Sequence, residues 1–231
     1  MKDVRHIFLD LDRTLWDFEE NSKQELLSIF KKFNFQQRGI SLANEFIKIY
    51  KAINEECWSL YRLNKLSKED LRSIRFLKTL EYFGISDELL AEKIGEEYVT
   101  NSPERTILIE GCHELLVYLK DKYHLHIITN GFEEVQIKKL ANSKLTHYFD
   151  KMITSESAGF KKPRKEIFNY ALNITGAKLS ESVMIGDDLQ TDIQGAINIG
   201  MPSIYFNPNG KIHSLNTLAN VETLLEIKSI L

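Results

Sequence analysis

Two aspartates, Asp10 and Asp12, stand one residue apart directly after an apolar run, Ile7 to Leu9, that predicts a buried β-strand. Thr14 follows Asp12 at the same spacing. Two carboxylates about 4 Å apart repel each other by roughly 4 kcal/mol at an effective dielectric constant near 20. This cost predicts a positively charged partner at the end of the strand, and a divalent cation is the first candidate.

Two other segments carry groups suited to binding an anion. Thr129 and Asn130 follow the apolar run 125–128, where a hydroxyl and backbone N–H groups can face a negative charge. Either residue could instead cap the next helix. Lys162 precedes Pro163, which favours an extended backbone and can direct the lysine across a pocket. The alternative for Lys162 is a solvated position in a loop.

A second acidic group follows the apolar run 183–185 and contains Asp187, Asp188 and Asp192. An aspartate-rich helix start explains Asp188 and Asp192, because the helix dipole favours negative charge there. It does not explain Asp187, which is expected at the strand end itself. Clustered carboxylates favour a hard cation with oxygen ligands, and Mg²⁺ fits best. None of these segments contains histidine, which argues against zinc.

The elements that must position these residues alternate between short apolar runs and amphipathic stretches. Strands are predicted at 7–9, 125–128, 152–154, 183–185 and 203–206, with helices near 111–122, 132–143, 165–174, 190–199 and 219–230. This alternation predicts an α/β fold with a doubly wound parallel sheet. The carboxyl ends of parallel strands share one edge, so the candidate residues are expected to meet there.

Residues 17–103 have helical periodicity and no convincing strand. One predicted helix face carries Phe46, Tyr50, Ile53, Cys57 and Leu60. The segment 67–70 has the pattern of a capping box at the start of another helix. We therefore expect an all-helical domain at 17–103, inserted into an α/β domain made of residues 1–16 and 104–231.

Composition limits the class of protein. The chain has 231 residues and a net charge of −3, which predicts no binding of nucleic acid polymers. It contains no apolar run long enough to span a membrane and no recognisable signal peptide, so no membrane partner is expected. Cys57 and Cys112 have neither zinc nor redox spacing. A cytoplasmic protein is expected, and both a monomer and a homodimer stay open.

The four motifs, in this order, resemble those of phosphatases in the haloacid dehalogenase superfamily. The resemblance implies a Rossmann-like core with a helical cap, Asp10 as nucleophile and Asp12 as general acid/base. It also assigns Thr129 and Lys162 to catalysis. The pattern is most similar to the pyrimidine 5′-nucleotidase branch, through 14–18, Trp58, 75–76, 129–132, Gln136 and 162–163. Arg13 departs from that branch, which often has an acid there.

The resemblance implies a Mg²⁺-dependent phosphomonoester hydrolase that forms an aspartyl-phosphate. Its expected substrate is a small phosphorylated metabolite, a nucleoside 5′-monophosphate with a preference for pyrimidines. Thr129, Asn130 and Lys162 are expected to bind the substrate phosphate. The expected metal ligands are Asp10, Asp187 and the backbone carbonyl of Asp12, with Asp188 and Asp192 in the outer shell.

Alternative functions and roles stay open at this point. A sugar-phosphate phosphatase, a phosphomutase or a catalytically idle binding module could share the same scaffold. Haloacid dehalogenase chemistry is disfavoured, because those enzymes lack a counterpart of Asp12 and the metal. Trp16 and Trp58 could stack on a nucleobase or pack in the interior. Arg75 could reach substrate or form a surface salt bridge.

Overall fold

The computed structural model describes residues 3–231. At its centre is a six-stranded sheet with the order β3-β2-β1-β4-β5-β6, in which all neighbouring strands are parallel. The strands are β1 (His6–Leu9), β2 (His124–Thr129), β3 (Lys151–Thr154), β4 (Ser182–Gly186), β5 (Ser203–Phe206) and β6 (Ala219–Val221). The strand order reverses between β1 and β4, which is where open α/β sheets bind ligands.

The central strands are almost wholly apolar, as expected for strands covered on both faces. Ile7 and Leu9 pack into one core cluster, and Phe8 between them packs into the other. Leu9 lies beside Ile127 of β2 and Ile185 of β4 in the strand register. The residues that follow these three strands are therefore brought to the same edge of the sheet.

The chain forms two compact units: one runs to Phe18 and resumes over Thr106–Leu231, and the other is Glu19–Arg105. The second unit contains most of α1 (Phe18–Lys32), with α2 (Ala43–Arg62), α3 (Lys68–Tyr82) and α4 (Glu88–Asn101). No strand occurs among its residues, as predicted. We propose that these two units correspond to the predicted core and cap domains. The predicted domain limits, 17 and 103, stay a prediction.

The helical unit shows how local signals start its helices. The Ser67 hydroxyl accepts from the Asp70 N–H at 3.0 Å, as expected for the start of α3. The Asp87 carboxylate accepts from the Leu90 N–H at 2.9 Å at the start of α4. Arg75 lies buried and donates to the Asn54 side chain at 3.0 Å, so the surface position considered for it is wrong.

The helices around the sheet are α5 (Cys112–Lys120), α6 (Glu133–Asn142), α7 (Ser155–Ala158), α8 (Lys165–Thr175) and α9 (Gln194–Asn198). A π-helical turn, Leu189–Ile193, precedes α9 and makes up the start of the helix predicted near 190–199. The predicted α/β fold with a doubly wound parallel sheet is confirmed. Over residues 3–231, no helix combines the length and the apolar character needed to cross a membrane.

The helix predicted near 219–230 is wrong. Residues 219–221 form β6, and a 3₁₀ helix, Leu224–Ser229, follows. Val221, Leu224 and Ile227 are buried at three-residue intervals, a spacing that an α-helix and a 3₁₀ helix both satisfy. Pairing of β6 with β5 takes the first of these residues into the sheet.

Candidate active site

A tight turn after β1 sets the positions of the first two aspartates. The Asp10 N–H donates to the Ile185 carbonyl of β4 at 2.9 Å. The Leu15 and Trp16 N–H groups both donate to the Leu11 carbonyl at 2.9 Å and close the turn. Arg13 adopts a left-handed backbone with φ of 64°. Residues 11–16 therefore form a closed turn directly after Asp10, and this turn carries Asp12.

Lys162 extends across this edge of the sheet. Its Nζ lies 2.6 Å from Asp10 Oδ1, 2.6 Å from Asp192 Oδ1 and 2.8 Å from the Ile128 carbonyl oxygen. These three acceptors match the three donors of an ammonium group. The Lys162 side chain is only 2% exposed, so the solvated alternative is excluded.

Asn130 holds the backbone of Lys162. Its Nδ2 donates to the Lys162 carbonyl at 3.0 Å, and its Oδ1 accepts from the Lys162 N–H at 2.8 Å. The side chain of Asn130 therefore connects the loop between α7 and α8 to the residue that follows β2. A contribution of Asn130 to phosphate binding, which stays a prediction, would fall to its backbone.

Three carboxylates converge beside Lys162. Asp10, Asp187 and Asp192 each place one oxygen within 4.8 Å of the others. Thr14 Oγ1 donates to Asp187 Oδ1 at 3.1 Å, and the Asp188 N–H donates to Asp192 Oδ2 at 3.1 Å. A Cβ atom at Gly186 would lie 2.3 Å from Asp192 Oδ2, so glycine is what permits this approach.

The electrostatics of this acidic cluster favour a cation. Burial raises the pKa of Asp10 to about 7, although the Lys162 ammonium opposes the shift. Burial, together with the charges of Asp192 and Asp10, raises the pKa of Asp187 well above its usual range. Burial lowers the pKa of Lys162, but the two carboxylates outweigh it and the net shift is upward. A divalent cation would favour the ionised form of all three acids, and their oxygen donors suit Mg²⁺.

Asp12 and Asp188 lie outside the group of converging oxygens. Asp12 Oδ1 accepts from Lys139 Nζ at 2.5 Å, and Asp12 Oδ2 accepts from Gln136 Nε2 at 2.8 Å. Its role as a metal ligand through the backbone carbonyl stays a prediction. Asp188 Oδ1 accepts from the Gln190 and Thr191 N–H groups at 2.7 and 3.0 Å and caps the following turn.

Thr129 is oriented by two donors. Its Oγ1 accepts from the Gly131 N–H at 3.0 Å and from Gln136 Nε2 at 2.9 Å. Because a hydroxyl oxygen has two lone pairs, these bonds leave its hydrogen to be donated to a third group. Thr129 therefore has a hydroxyl hydrogen to donate at the end of β2, and its role in phosphate binding stays a prediction.

Sequence reasoning missed Lys139 and noted Gln136 only within the resemblance. The two residues stand three positions apart on α6, a spacing that places them on one helix face. Lys139 is 4% exposed, and its Nζ lies 4.0 Å from the centroid of the buried Trp16 ring. Trp16 is fully buried in the core beside the sheet, so it packs in the interior and does not stack on a base. The sequence signal for such a residue is a lysine on the apolar face of a predicted amphipathic helix, where Lys139 lies beside Leu140 and Gln136.

Comparisons with known proteins identify the family of this chain. The family described as haloacid dehalogenase-like hydrolase matches residues 7–206. The HAD-hydrolase YfnB of Bacillus subtilis is 31% identical over 91% of this chain and 87% of its own. A crystal structure of YfnB bound to magnesium has a TM-score of 0.89 at 29% identity and covers 98% of both chains.

Two relatives carry names that specify a reaction. The pyrimidine 5′-nucleotidase PynA of Streptococcus pneumoniae is 29% identical over 97% of this chain and 91% of its own. The human N-acylneuraminate-9-phosphatase is 28% identical over 90% of this chain and 84% of its own. The family match, residues 7–206, spans most of the chain and includes Asp10, Thr129, Lys162 and Asp187. The chain therefore belongs to the haloacid dehalogenase-like hydrolase family.

Proposed function

We propose that this protein is a Mg²⁺-dependent phosphomonoester hydrolase that works through an aspartyl-phosphate on Asp10. The observation that carries the proposal is the separation of the two aspartates of the first motif. Asp10 lies in the acidic cluster and forms an ion pair with Lys162, whereas the Asp12 carboxylate lies outside the cluster and is bonded by Lys139. In the proposed chemistry the nucleophile lies beside the divalent cation, whereas the carboxylate that carries the proton must not be one of its ligands.

In the proposed reaction, Asp10 attacks phosphorus and the leaving oxygen departs on the opposite side. The bond from Asp10 to phosphorus forms as the ester bond breaks. Lys162 and the Thr129 hydroxyl supply positive charge and a hydrogen bond to the equatorial oxygens, where transition-state charge resides. Magnesium, held by Asp10, Asp187 and the Asp12 backbone carbonyl, would supply charge neutralisation at the phosphoryl group.

Asp12 is proposed to carry the proton in both halves of the reaction. It gives a proton to the leaving alkoxide in the first half. In the second half it removes a proton from the water that hydrolyses the aspartyl-phosphate, which returns Asp10 to its starting state. The side chain of Asp12 is 24% exposed, more than that of Asp10 at 11%, which gives the leaving group access to it.

Asp192 takes a different role in this proposal from the outer-shell position expected from sequence. It is 1% exposed, and its Oδ1 shares the Lys162 ammonium with Asp10. Its Oδ2 is fixed by the Asp188 N–H. These contacts suit a residue that holds Lys162 in place, and the position of its oxygens also allows it to face the cation.

We propose a nucleoside 5′-monophosphate as the substrate, with a preference for pyrimidines. The similarity to PynA over nearly the whole of both chains supports this assignment. A sugar-phosphate substrate is the second candidate, supported by the similarity to N-acylneuraminate-9-phosphatase at almost the same identity. The chemistry at phosphorus is the same in both cases, so only the leaving group distinguishes them.

The test measures hydrolysis of UMP, dTMP, AMP and several sugar phosphates with and without Mg²⁺, using wild type and Asp10→Asn. Mass spectrometry of acid-quenched wild type would look for a phosphoryl group on Asp10. Activity that persists in Asp10→Asn would contradict the nucleophile assignment. Equal rates on all esters would contradict the nucleotidase assignment and leave the phosphatase assignment standing.

A further inference from the structure

Lys139 and Gln136 occupy both oxygens of the Asp12 carboxylate. Lys139 Nζ bonds to Oδ1 at 2.5 Å and Gln136 Nε2 bonds to Oδ2 at 2.8 Å. The Lys139 side chain is 5% exposed, and Gln136 is fully buried. A carboxylate that is bonded at both oxygens cannot rotate without breaking at least one charge-assisted hydrogen bond. The orientation of Asp12 is therefore set by α6.

Each of these donors is itself held in place. The Lys139 ammonium lies against the buried Trp16 ring, at 4.0 Å from its centroid. The Gln136 amide uses its second hydrogen on Thr129 Oγ1 at 2.9 Å. A Cβ atom at Gly131 would lie 2.0 Å from Gln136 Nε2, so the glycine provides the space that this amide occupies.

The two neighbouring aspartates are thus divided between two buried lysines. Lys162 forms an ion pair with Asp10, and Lys139 forms an ion pair with Asp12. A cation in the acidic cluster would attract any carboxylate within reach, and Asp12 is two residues from Asp10. The Lys139 ammonium supplies a competing positive charge on the other side.

We infer that Lys139 and Gln136 are positioning residues that hold the Asp12 carboxylate toward the leaving group and away from the acidic cluster. This inference rests on the proposed function and extends it to two residues of α6. It has a signature that general damage to the fold lacks. A basic alkoxide needs a proton to depart, whereas 4-nitrophenolate departs without one. Loss of Asp12 positioning must therefore depend on the leaving group.

The experiment compares kcat/KM for UMP and for 4-nitrophenyl phosphate with Mg²⁺ present, in the full-length chain. Lys139→Met is expected to lose roughly 100-fold or more on UMP and less than about tenfold on 4-nitrophenyl phosphate. Lys139→Arg, which keeps the charge, should recover part of the UMP activity. Lys138→Met is the matched control, because Lys138 is exposed on the same helix and should leave both rates unchanged.

A double-mutant cycle with Asp12→Asn separates positioning from structural damage. If Lys139 acts through Asp12, Lys139→Met in the Asp12→Asn background should add little further loss on UMP. Circular dichroism would establish that each variant is folded. If Lys139→Met does not fold, Gln136→Met is the second variant. It removes a donor from both Asp12 and Thr129 without a change of charge, so both rates should fall and the loss should be larger on UMP.

The outcomes distinguish this inference from the proposed function. A wild type that hydrolyses no phosphomonoester, or an active Asp10→Asn, overturns the proposed function and the inference with it. An active wild type that depends on Asp10, combined with equal losses on both esters in the Lys139 and Gln136 variants, overturns the inference alone. The inference alone is also overturned if the losses caused by Lys139→Met and Asp12→Asn on UMP are fully additive in the double mutant.

Discussion

Gln136 Nε2 donates to Thr129 Oγ1 at 2.9 Å, and this bond determines what the threonine can do. With the Gly131 N–H on its other lone pair at 3.0 Å, the hydroxyl has no acceptor capacity left for a ligand. It can only donate. The alternative role considered for Thr129 was to cap the next helix, which would require its oxygen to accept from an N–H group of that helix. The backbone N–H that this oxygen accepts from belongs to Gly131, which precedes the helix.

Replacement of Thr129 tests this donor role. Thr129→Val removes the hydroxyl and keeps the shape, and kcat/KM for the best phosphomonoester is expected to fall roughly 10- to 100-fold. Thr129→Ser should stay within a few-fold of wild type, because the donor is retained. Steady-state kinetics and inhibition by inorganic phosphate are the measurements. Equal behaviour of the two variants would contradict the role.

Removal of the Lys162 ammonium should destabilise the protein as well as inactivate it. Lys162→Met leaves Asp10 and Asp192 buried without their shared cation, which costs about 3–5 kcal/mol in the free energy of unfolding. Urea unfolding at neutral pH measures this loss. Lys161→Met provides the control at the adjacent position. We expect it to change the free energy of unfolding much less than Lys162→Met does.

Magnesium should stabilise the folded chain through the acidic cluster. At about one hundred times the dissociation constant, a bound ion adds about 2.7 kcal/mol to the free energy of unfolding. Asp187→Asn is expected to abolish the rise in Tm that Mg²⁺ causes, since it removes one of the three converging carboxylates. Asp121→Asn, at an exposed position on the same unit, should keep it. An unchanged rise in Asp187→Asn would exclude Asp187 as a ligand.

The space above Gly131 can be tested without touching a reacting group. Gly131→Ala would force Gln136 out of contact with Asp12 and Thr129, because the new Cβ would overlap its amide. We expect at least a roughly tenfold loss of kcat/KM, since a hydrogen bond to a charged group is worth about 1.5–3 kcal/mol. In a Gln136→Ala background the same change should add almost nothing. A full additional loss there would show that the glycine acts elsewhere.

His126 should make stability depend on pH. Burial, followed by the neighbouring His6, lowers the pKa of His126 to about 4. In the unfolded chain the pKa of His126 is near 6.5, so as the pH falls the unfolded state binds a proton before the folded state does. The contribution of neutral His126 to the free energy of unfolding is therefore fully present above about pH 6.5 and is lost as the pH falls toward 4. The loss attributable to His126 reaches about 3 kcal/mol. Urea unfolding at pH 7 and 4.5 should show a smaller loss in His126→Leu, and an unchanged loss in the exposed control His147→Gln.

The sequence was most informative where acids follow apolar strands. Asp10, Asp12 and Asp187 stand out because a buried strand end offers no other reason for a carboxylate. Contacts between distant elements were harder to foresee. The hydrogen bonds of Lys139 and Gln136 to Asp12 depend on how α6 packs against the turn after β1, which no local pattern records.

Local patterns also misled where two structures satisfy one spacing. The buried residues Val221, Leu224 and Ile227 are compatible with an α-helix, yet pairing with β5 makes the first of them part of β6. Asn130 gives a second case, because a turn residue that could bind an anion uses its amide on the Lys162 backbone. In both cases a tertiary partner decided between local options.

The central position of β1 has a consequence for how the protein is made. Asp10 and Lys162 are 152 residues apart, and Thr14 and Asp187 are 173 apart. During synthesis, the first strand therefore leaves the ribosome long before either neighbour that completes its surroundings. The helical unit, Glu19–Arg105, is contiguous in sequence, so its internal contacts need no residue from beyond Arg105. The acidic cluster is therefore completed late in translation, because a chain truncated before β4 contains Asp10 and Asp12 but lacks Asp187 and Asp192.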